Sequence, residues 1–470
     1  MKRKAMFVAA TLAVATLGCE RSPESLTGAP QLTAARSADQ SIGVNVLLSA
    51  PPTAAQLAEL GTYGRVSGKL VEVNAVFMRA SASALAAIQA LPYVLAAGPD
   101  AERNGSPVDA VSATDFSGGF NTWNLDAVNV TNLVTGPDRT IGFDGTGVYI
   151  GVLDTGLLDS WRQYFPEQRI AEEFGTSFGG GGVGGDNVSQ QPNKWEHDQN
   201  SHGTHVTSTI LGYQFGVNRI NGVAPLATVI PVKVLNQNGS GWSSVIAQGI
   251  VYIANLKAGP LATHPVVINM SLGGSRLDLV EQAAIDFAIG RGVIVVAAAG
   301  NRGTAGMTFP GAYAPVISAA ASGWIGEWTP PGNGSWWNNR NVAEPTVAND
   351  FYIAGFSSRA RAGEDLDVAA PGTWVVGPFQ LQSGKLSYFF LGGTSMASPH
   401  VAGIVALMAQ KNPALTASQA EAILEATAIS LPPGSRTIRN PNGSTSVVSW
   451  LANATGAGLT TADAALAGTP

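Results

Sequence analysis

The chain has one cysteine in 470 residues, five histidines, and only 12% Asp, Glu, Lys and Arg. One cysteine excludes an intramolecular disulfide and any cysteine-rich metal cage. The charged share is about half the roughly 25% usual for globular chains. With 26 basic against 32 acidic residues the net charge is −6, which excludes a nucleic-acid binder relying on an overall basic surface. Beyond the N-terminus no apolar run approaches the roughly 20 residues of a membrane-spanning helix. Glycine is abundant, with 56 residues, alongside 27 prolines and 45% hydrophobic residues. Glycine without the strict period of collagen indicates many tight turns, and the apolar content suffices for a large core. This is the composition of a soluble, globular, weakly acidic chain.

Lys2, Arg3 and Lys4 precede the short apolar run Ala5 to Gly18, the pattern of an export signal over residues 1–19. The lone Cys19 follows Thr16-Leu17-Gly18, which resembles a bacterial lipoprotein processing site with Thr16 where that pattern prefers Leu. The other reading is an ordinary signal peptide with an incidental cysteine. Residues 20–40, rich in Ser, Ala, Pro and Thr, read as a linker. A small unit follows over 41–104. Val44 to Leu48, Leu70 to Phe77 and Tyr93 to Ala96 read as strands, and Ala54 to Leu60 and Ser83 to Leu91 as helices. That β-α-β-α-β order predicts a small α+β sandwich of the ferredoxin-like, split βαβ kind.

Residues 105–470 form the second unit. Val148 to Leu153, Thr228 to Leu235, Val266 to Leu272 and Val293 to Ala299 are dense in Val and Ile, as strands buried on both faces of a parallel sheet are. Ser243 to Leu256 and Leu279 to Ile289 read as helices between them. The fold class is α/β, a doubly wound, mostly parallel sheet. Such sheets bind ligands beyond the carboxyl ends of their strands. There the sequence places Asp154, then Ser271-Leu272-Gly273-Gly274, then Ala298-Ala299-Gly300-Asn301. Each alone reads as turn chemistry; three on one rim point to a site.

Two further segments open probable helices, Ser201-His202-Gly203-Thr204-His205 and Gly393-Thr394-Ser395-Met396-Ala397-Ser398-Pro399-His400. Val401, Ile404, Val405 and Met408 continue the second along one helical face. Pro399 is expected in its first turn, and Pro413 ends it. Ser395 then lies at a helix N-terminus, which favours developing negative charge. The order Asp154, His202, Ser395, with a fourth matching block at Asn301, resembles the subtilases, the subtilisin-like serine endopeptidases. The resemblance covers about residues 120–470, includes Gly222-Val223-Ala224-Pro225 and Gly456-Ala457-Gly458-Leu459, and is most specific over Gly393 to Gly403.

The resemblance implies a division of roles. Ser395 attacks the peptide carbonyl, His202 takes its proton, Asp154 orients the imidazole, and Asn301 donates to the oxyanion. Ser271, Leu272, Gly273 and Gly274 resemble the strand that pairs with an extended polypeptide substrate. Ala298, Ala299 and Gly300 resemble the wall of the pocket for P1, the residue before the cut bond. Arg302 stands where the family often has an acid, so an acidic P1 residue is expected to be tolerated. Residues 41–104 resemble the inhibitory propeptide, with cleavage between Pro99 and Gly119 and a monomeric catalytic domain after it. A lipid on Cys19 would then anchor only the precursor. Catalysis needs no cofactor; structural calcium is expected at Asp367, with backbone carbonyls near Ala314 and Val316. The other reading of Asp367 is a turn cap.

His197, His202 and His205 lack the spacing of a zinc helix. An α/β-hydrolase is excluded because Gly393-Thr394-Ser395-Met396-Ala397 lacks the second Gly of G-x-S-x-G. The alternative of another class is a catalytically idle subtilase fold that binds at a surface. Two stretches depart from a minimal subtilase: the glycine run 179–185 and a connection over 324–354 holding four of the ten Trp residues, expected to pack over their own loop.

Overall fold

The computed structural model describes residues 40–113, 122–132, 139–182, 187–329, 342–380 and 387–470. The export signal 1–19, Cys19, all but the last residue of the 20–40 linker, Gly184, Gly185, Trp336 and Trp337 lie outside the described residues.

The N-terminal unit runs β1 (Ser41–Leu48), α1 (Ala54–Tyr63), β2 (Gly64–Leu70), β3 (Ala75–Ser81), α2 (Leu85–Gln89) and β4 (Val94–Pro99). Its four strands pair antiparallel in the order β2-β3-β1-β4. A capping box starts α1, with Thr53 Oγ1 accepting the Gln56 N–H and Gln56 returning its side chain to the Thr53 N–H. The unit has one strand more than the sequence suggests. The expected strand Leu70 to Phe77 is in fact a reversal: Asn74, at φ 56°, closes a turn onto the Val71 carbonyl and sets Leu70 opposite Ala75. Asn tolerates that left-handed conformation better than other non-glycine residues. The missed strand, β2, is half-exposed and rich in Gly, Arg and Lys, so its apolar alternation is weak.

The two faces of this sheet have different partners. Val44, Val46 and Leu48 pack beneath Leu60 and Ile88 of the unit's own helices. Ala75, Phe77 and Leu47 face the larger unit and join its core beside Val280 and Ala284. The chain then enters β5 (Glu102–Asn104) and β6 (Asp109–Ser112), both of which pair with the larger unit.

That unit is built on β7 (Tyr149–Asp154), β8 (Thr228–Lys233), β10 (Val266–Met270), β11 (Val293–Ala298), β12 (Ile317–Trp324) and β13 (Val368–Pro371), with β9 (Ser240–Trp242) beside the sheet. Among the described residues the sheet has nine strands. β12, β11, β10, β7, β8 and Thr176–Gly179 run parallel in that spatial order, and β13 joins β12, also parallel. Phe351–Ile353 and Ser189–Gln190 pair antiparallel at the margins. Among the described residues its longer helices are α3 (His202–Leu211), α4 (Ser243–Ala258), α5 (Leu279–Ile289), α6 (Thr394–Lys411) and α7 (Ala417–Thr427). The chain leaves β7 to one side for β8 and returns on the other for β10 and β11. β7 therefore marks a topological switch point, where open sheets bind ligands. Among the described residues no helix is long and apolar enough to cross a membrane.

Candidate active site

Asp154 is the last residue of β7 and His202 the first of α3. The loop before α3 is set by Asp198, whose Oδ1 accepts the N–H groups of Asn200 and Ser201, each at 2.9 Å. It holds Ser201 at φ 74°. Thr155 Oγ1 accepts the Gly203 N–H at 2.8 Å, fastening the helix start to the strand end. Both Asp154 oxygens reach His202 Nδ1, at 2.8 and 3.0 Å, and both side chains are 0% exposed. An imidazole whose Nδ1–H is claimed by a carboxylate presents Nε2 as its base. His202 Nε2 has no hydrogen-bond partner among the described residues.

Ser395 is the second residue of α6, so its N–H is a first-turn donor without an intrahelical acceptor. Its Oγ donates to the Ser271 carbonyl at 3.2 Å and must leave that acceptor to bond His202. Pro399 lies one turn deeper than the sequence suggests, as the sixth helical residue. A proline there has no N–H for the carbonyl four residues earlier, which is that of Ser395. Ser271 Oγ supplies the missing donor, at 2.8 Å from the Ser395 oxygen, and also meets Ser398 Oγ and Asn269 Nδ2.

Asn301 Oδ1 accepts both the N–H and the Oγ1–H of Thr394, each at 2.9 Å, which turns Nδ2 outward. A Cβ placed on Gly393 would stand 3.6 Å from that Nδ2 and 3.7 Å from the Ser395 nitrogen. The two donors thus flank one small space beside the hydroxyl, where an oxyanion would be doubly hydrogen-bonded.

Of the expected cleft residues, Leu272, Gly273, Gly274, Ala298 and Gly300 line one cavity of about 390 Å³ together with Asn301 and Ser395. Ser271 and Ala299 do not line it. Ser271 braces α6, and Ala299 is buried behind the wall, hydrogen-bonded to Ala319 and Thr308. Thr308 and Ser275 also line it, with Thr394, Asn104 and Ser106; no motif marked Thr308 or Ser275. Arg302 stands on the same cavity.

His205 and His400 have structural partners. Burial pushes His205 down to about 3, and its Nε2 meets the Val375 carbonyl at 3.1 Å. Burial holds His400 at about 4, between Asn124 Nδ2 and the Met396 carbonyl, both at 2.8 Å. Trp324 and Trp328 are buried; Trp324 stacks on Trp123, and Trp328 packs edge-on to Trp374 and Phe390. Beneath them Glu327 accepts from Tyr352 Oη at 2.7 Å and from Thr373, and burial pushes its carboxyl up to about 8.

Asp367 is fully buried. Its Oδ2 accepts the Ser318 N–H and Oγ–H at 2.6 and 2.9 Å, while Oδ1 has no partner among the described residues. Asp365, Asp367 and Glu421 each offer a carboxylate oxygen, all within 4.8 Å of one another. Burial, reinforced by those neighbours, pushes Asp367 up to about 7. Glu421, on α7, was not foreseen in the sequence.

A buried carboxylate–imidazole pair, a helix-borne serine and two convergent amide donors at the switch point of a doubly wound sheet define a serine peptidase of the acyl-transfer class. The profile of the subtilase family matches residues 145–458. The chain belongs to that family of subtilisin-like serine endopeptidases. It is 34% identical over 294 residues to subtilisin DY of Bacillus licheniformis, covering 62% of this chain and 86% of that one. It is 32% identical over 297 residues to a thermostable alkaline protease of Halalkalibacterium halodurans, covering 63% of this chain and 65% of the relative. In fold it is similar to fervidolysin of Fervidobacterium pennivorans, with a TM-score of 0.64 at 23% identity over 93% of this chain and 62% of that one.

Proposed function

We propose that the chain is the precursor of an exported serine endopeptidase that cuts extended polypeptides through an acyl-enzyme on Ser395. Ser395 Oγ attacks the carbonyl carbon while His202 Nε2 takes the hydroxyl proton. Asp154 keeps Nδ1 protonated and stabilises the imidazolium. The oxyanion is held by Asn301 Nδ2 and the Ser395 N–H. His202 then protonates the leaving amine, and water releases the acyl group by the same steps reversed. Leu272 to Gly274 receive the substrate backbone, and Ala298 and Gly300 wall the P1 pocket. The observation that carries this reading is the 2.8 Å contact of Asp154 with His202 Nδ1, which leaves Nε2 without a hydrogen-bond partner among the described residues.

In this reading residues 1–19 direct export and 41–104 inhibit the catalytic unit until a cut between Pro99 and Gly119. A lipid on Cys19 would leave with the N-terminal unit; mature enzyme retained on washed membranes without that unit contradicts this. Asp365, Asp367 and Glu421 bind a calcium ion. The free, buried Oδ1 of Asp367 supports that assignment, because carboxylate oxygens are the ligands a hard divalent cation prefers. The function is tested by incubating wild-type and Ser395→Ala precursors side by side with a denatured protein substrate. Fragments and a new N-terminus in wild type alone are expected, and equal processing in both contradicts the reading.

A further inference from the structure

The segment joining the two units threads the cleft from end to end. Asn104 exchanges two backbone hydrogen bonds with Gly273, both at 3.0 Å, and β5 pairs with β9 on its other edge. The Gly105 N–H reaches the Gly239 carbonyl at 2.8 Å. Past the catalytic serine the Val108 N–H reaches the Gly392 carbonyl at 2.7 Å, and β6 pairs with Tyr388–Gly392. Only Ser106 and Pro107 lie between these anchors. Ser106 stands on the cavity that holds Ser395 and Asn301, so the bond presented to the nucleophile is Ser106–Pro107.

The register is locked just ahead of that bond. Arg103 is 0% exposed, paired with the buried Glu281, and donates to the Arg276 carbonyl at 3.1 Å. A Cβ on Gly105 would lie 2.8 Å from both Leu235 Cδ1 and the Ser271 carbonyl, and 3.4 Å from His202 Cε1. A slip of one residue either way would force Asn104 or Ser106 into a space that admits only glycine. It would also pull Arg103 from its carboxylate, leaving a buried charge unpaired.

We propose that the chain parks a prolyl bond, a tertiary amide, at its own nucleophile, so that residues 102–112 fill the cleft without being cut there. This rests on the serine-peptidase reading above. Cutting at 106–107 would form the Ser395 Oγ–C bond, break the C–N bond to residue 107, and pass the serine proton through His202 Nε2 to the departing nitrogen. When residue 107 is proline that nitrogen carries a ring carbon in place of hydrogen. The ring fixes its geometry and crowds the side from which the imidazole must deliver the proton. The cut that opens the cleft therefore falls at another bond, or is made by another molecule.

The full chain is tested as wild type, Pro107→Ala, Pro107→Ser and Pro107→Ala/Ser395→Ala. Both single variants should cleave themselves at 106–107, with a concentration-independent rate and a new N-terminus at residue 107, and the double variant should not. Wild type should show no such terminus at any time. A wild-type terminus at Pro107 overturns the proposal. Fluorophosphonate labelling after a metalloprotease has digested the N-terminal unit separates the two readings. Labelled Ser395 with no cut at 106–107 in the Pro107 variants refutes only the parked prolyl bond; unlabelled Ser395 refutes the peptidase reading beneath it.

Discussion

Replacing Ser271 by alanine removes one hydroxyl that serves three groups. Ser271 Oγ donates to the Ser395 carbonyl at 2.8 Å, accepts from Asn269 Nδ2 at 3.1 Å, and meets Ser398 Oγ at 2.8 Å. The Ser395 carbonyl has no helical donor because Pro399 occupies the position four residues on. Ser395 is 3% exposed and Asn269 0%, so water cannot replace the lost partner without reorganisation. An unpaired buried polar group costs about 1–3 kcal/mol; three groups lose a partner here, which favours the upper half of that range. The assay is urea unfolding of the Ser395→Ala protein, which cannot digest itself, with and without Ser271→Ala. The decisive arm adds Pro399→Ala, which restores an N–H able to bond the residue-395 carbonyl within the helix. In that background Ser271→Ala should cost less, by about 1 kcal/mol in a double-mutant cycle. The same cost in both backgrounds, or a cost under about 0.5 kcal/mol, refutes the reasoning.

Three other outcomes are expected. Because Arg302 stands on the P1 cavity, the ratio of kcat/KM for P1 Glu over P1 Gln should fall in Arg302→Ala; an unchanged ratio removes it from specificity. Glu327 keeps its proton up to about pH 8 when folded, against 4.5 when unfolded, so its favourable contribution is complete below 4.5 and lost as pH rises through 8. Relative to Glu327→Gln, in the Ser395→Ala background, wild-type stability should drop by something on the order of 4 kcal/mol across that window; parallel pH curves would contradict this. Calcium at a hundredfold excess over its dissociation constant should add about 2.7 kcal/mol to the Ser395→Ala protein, seen as a higher Tm that EGTA reverses. That gain should vanish in Glu421→Gln and fade as pH drops through about 7, where Asp367 takes up its proton; a gain that survives in Glu421→Gln refutes the site.

The central strands were legible because burial on both faces demands uninterrupted Val and Ile. Leu279–Ile289 matches its sequence-read bounds, and β7, β8, β10 and β11 fall within two residues of theirs. Asp154 and His202 were legible because each sits at a junction of strand or helix with loop, and the structure brings them to 2.8 Å. What was hidden depends on long-range pairing. β2 has few apolar residues because it lies at the sheet edge, and the turn at Asn74 interrupts an apolar run that local pattern reads as one strand. Ser271 reads as cleft edge, yet its side chain serves α6, because only the folded chain sets it against the carbonyl that Pro399 leaves open. Glu421 approaches Asp367 from a helix more than fifty residues later, and no local spacing announces that.

The central claim is that Ser395 is a nucleophile activated by His202. Its most direct test is intact-mass measurement after fluorophosphonate treatment of protein whose N-terminal unit has been removed by a metalloprotease. A single adduct is expected, mapped to Ser395, absent in Ser395→Ala and strongly slowed in His202→Ala. Folded protein that takes up no adduct, or one that persists in Ser395→Ala, would contradict the account.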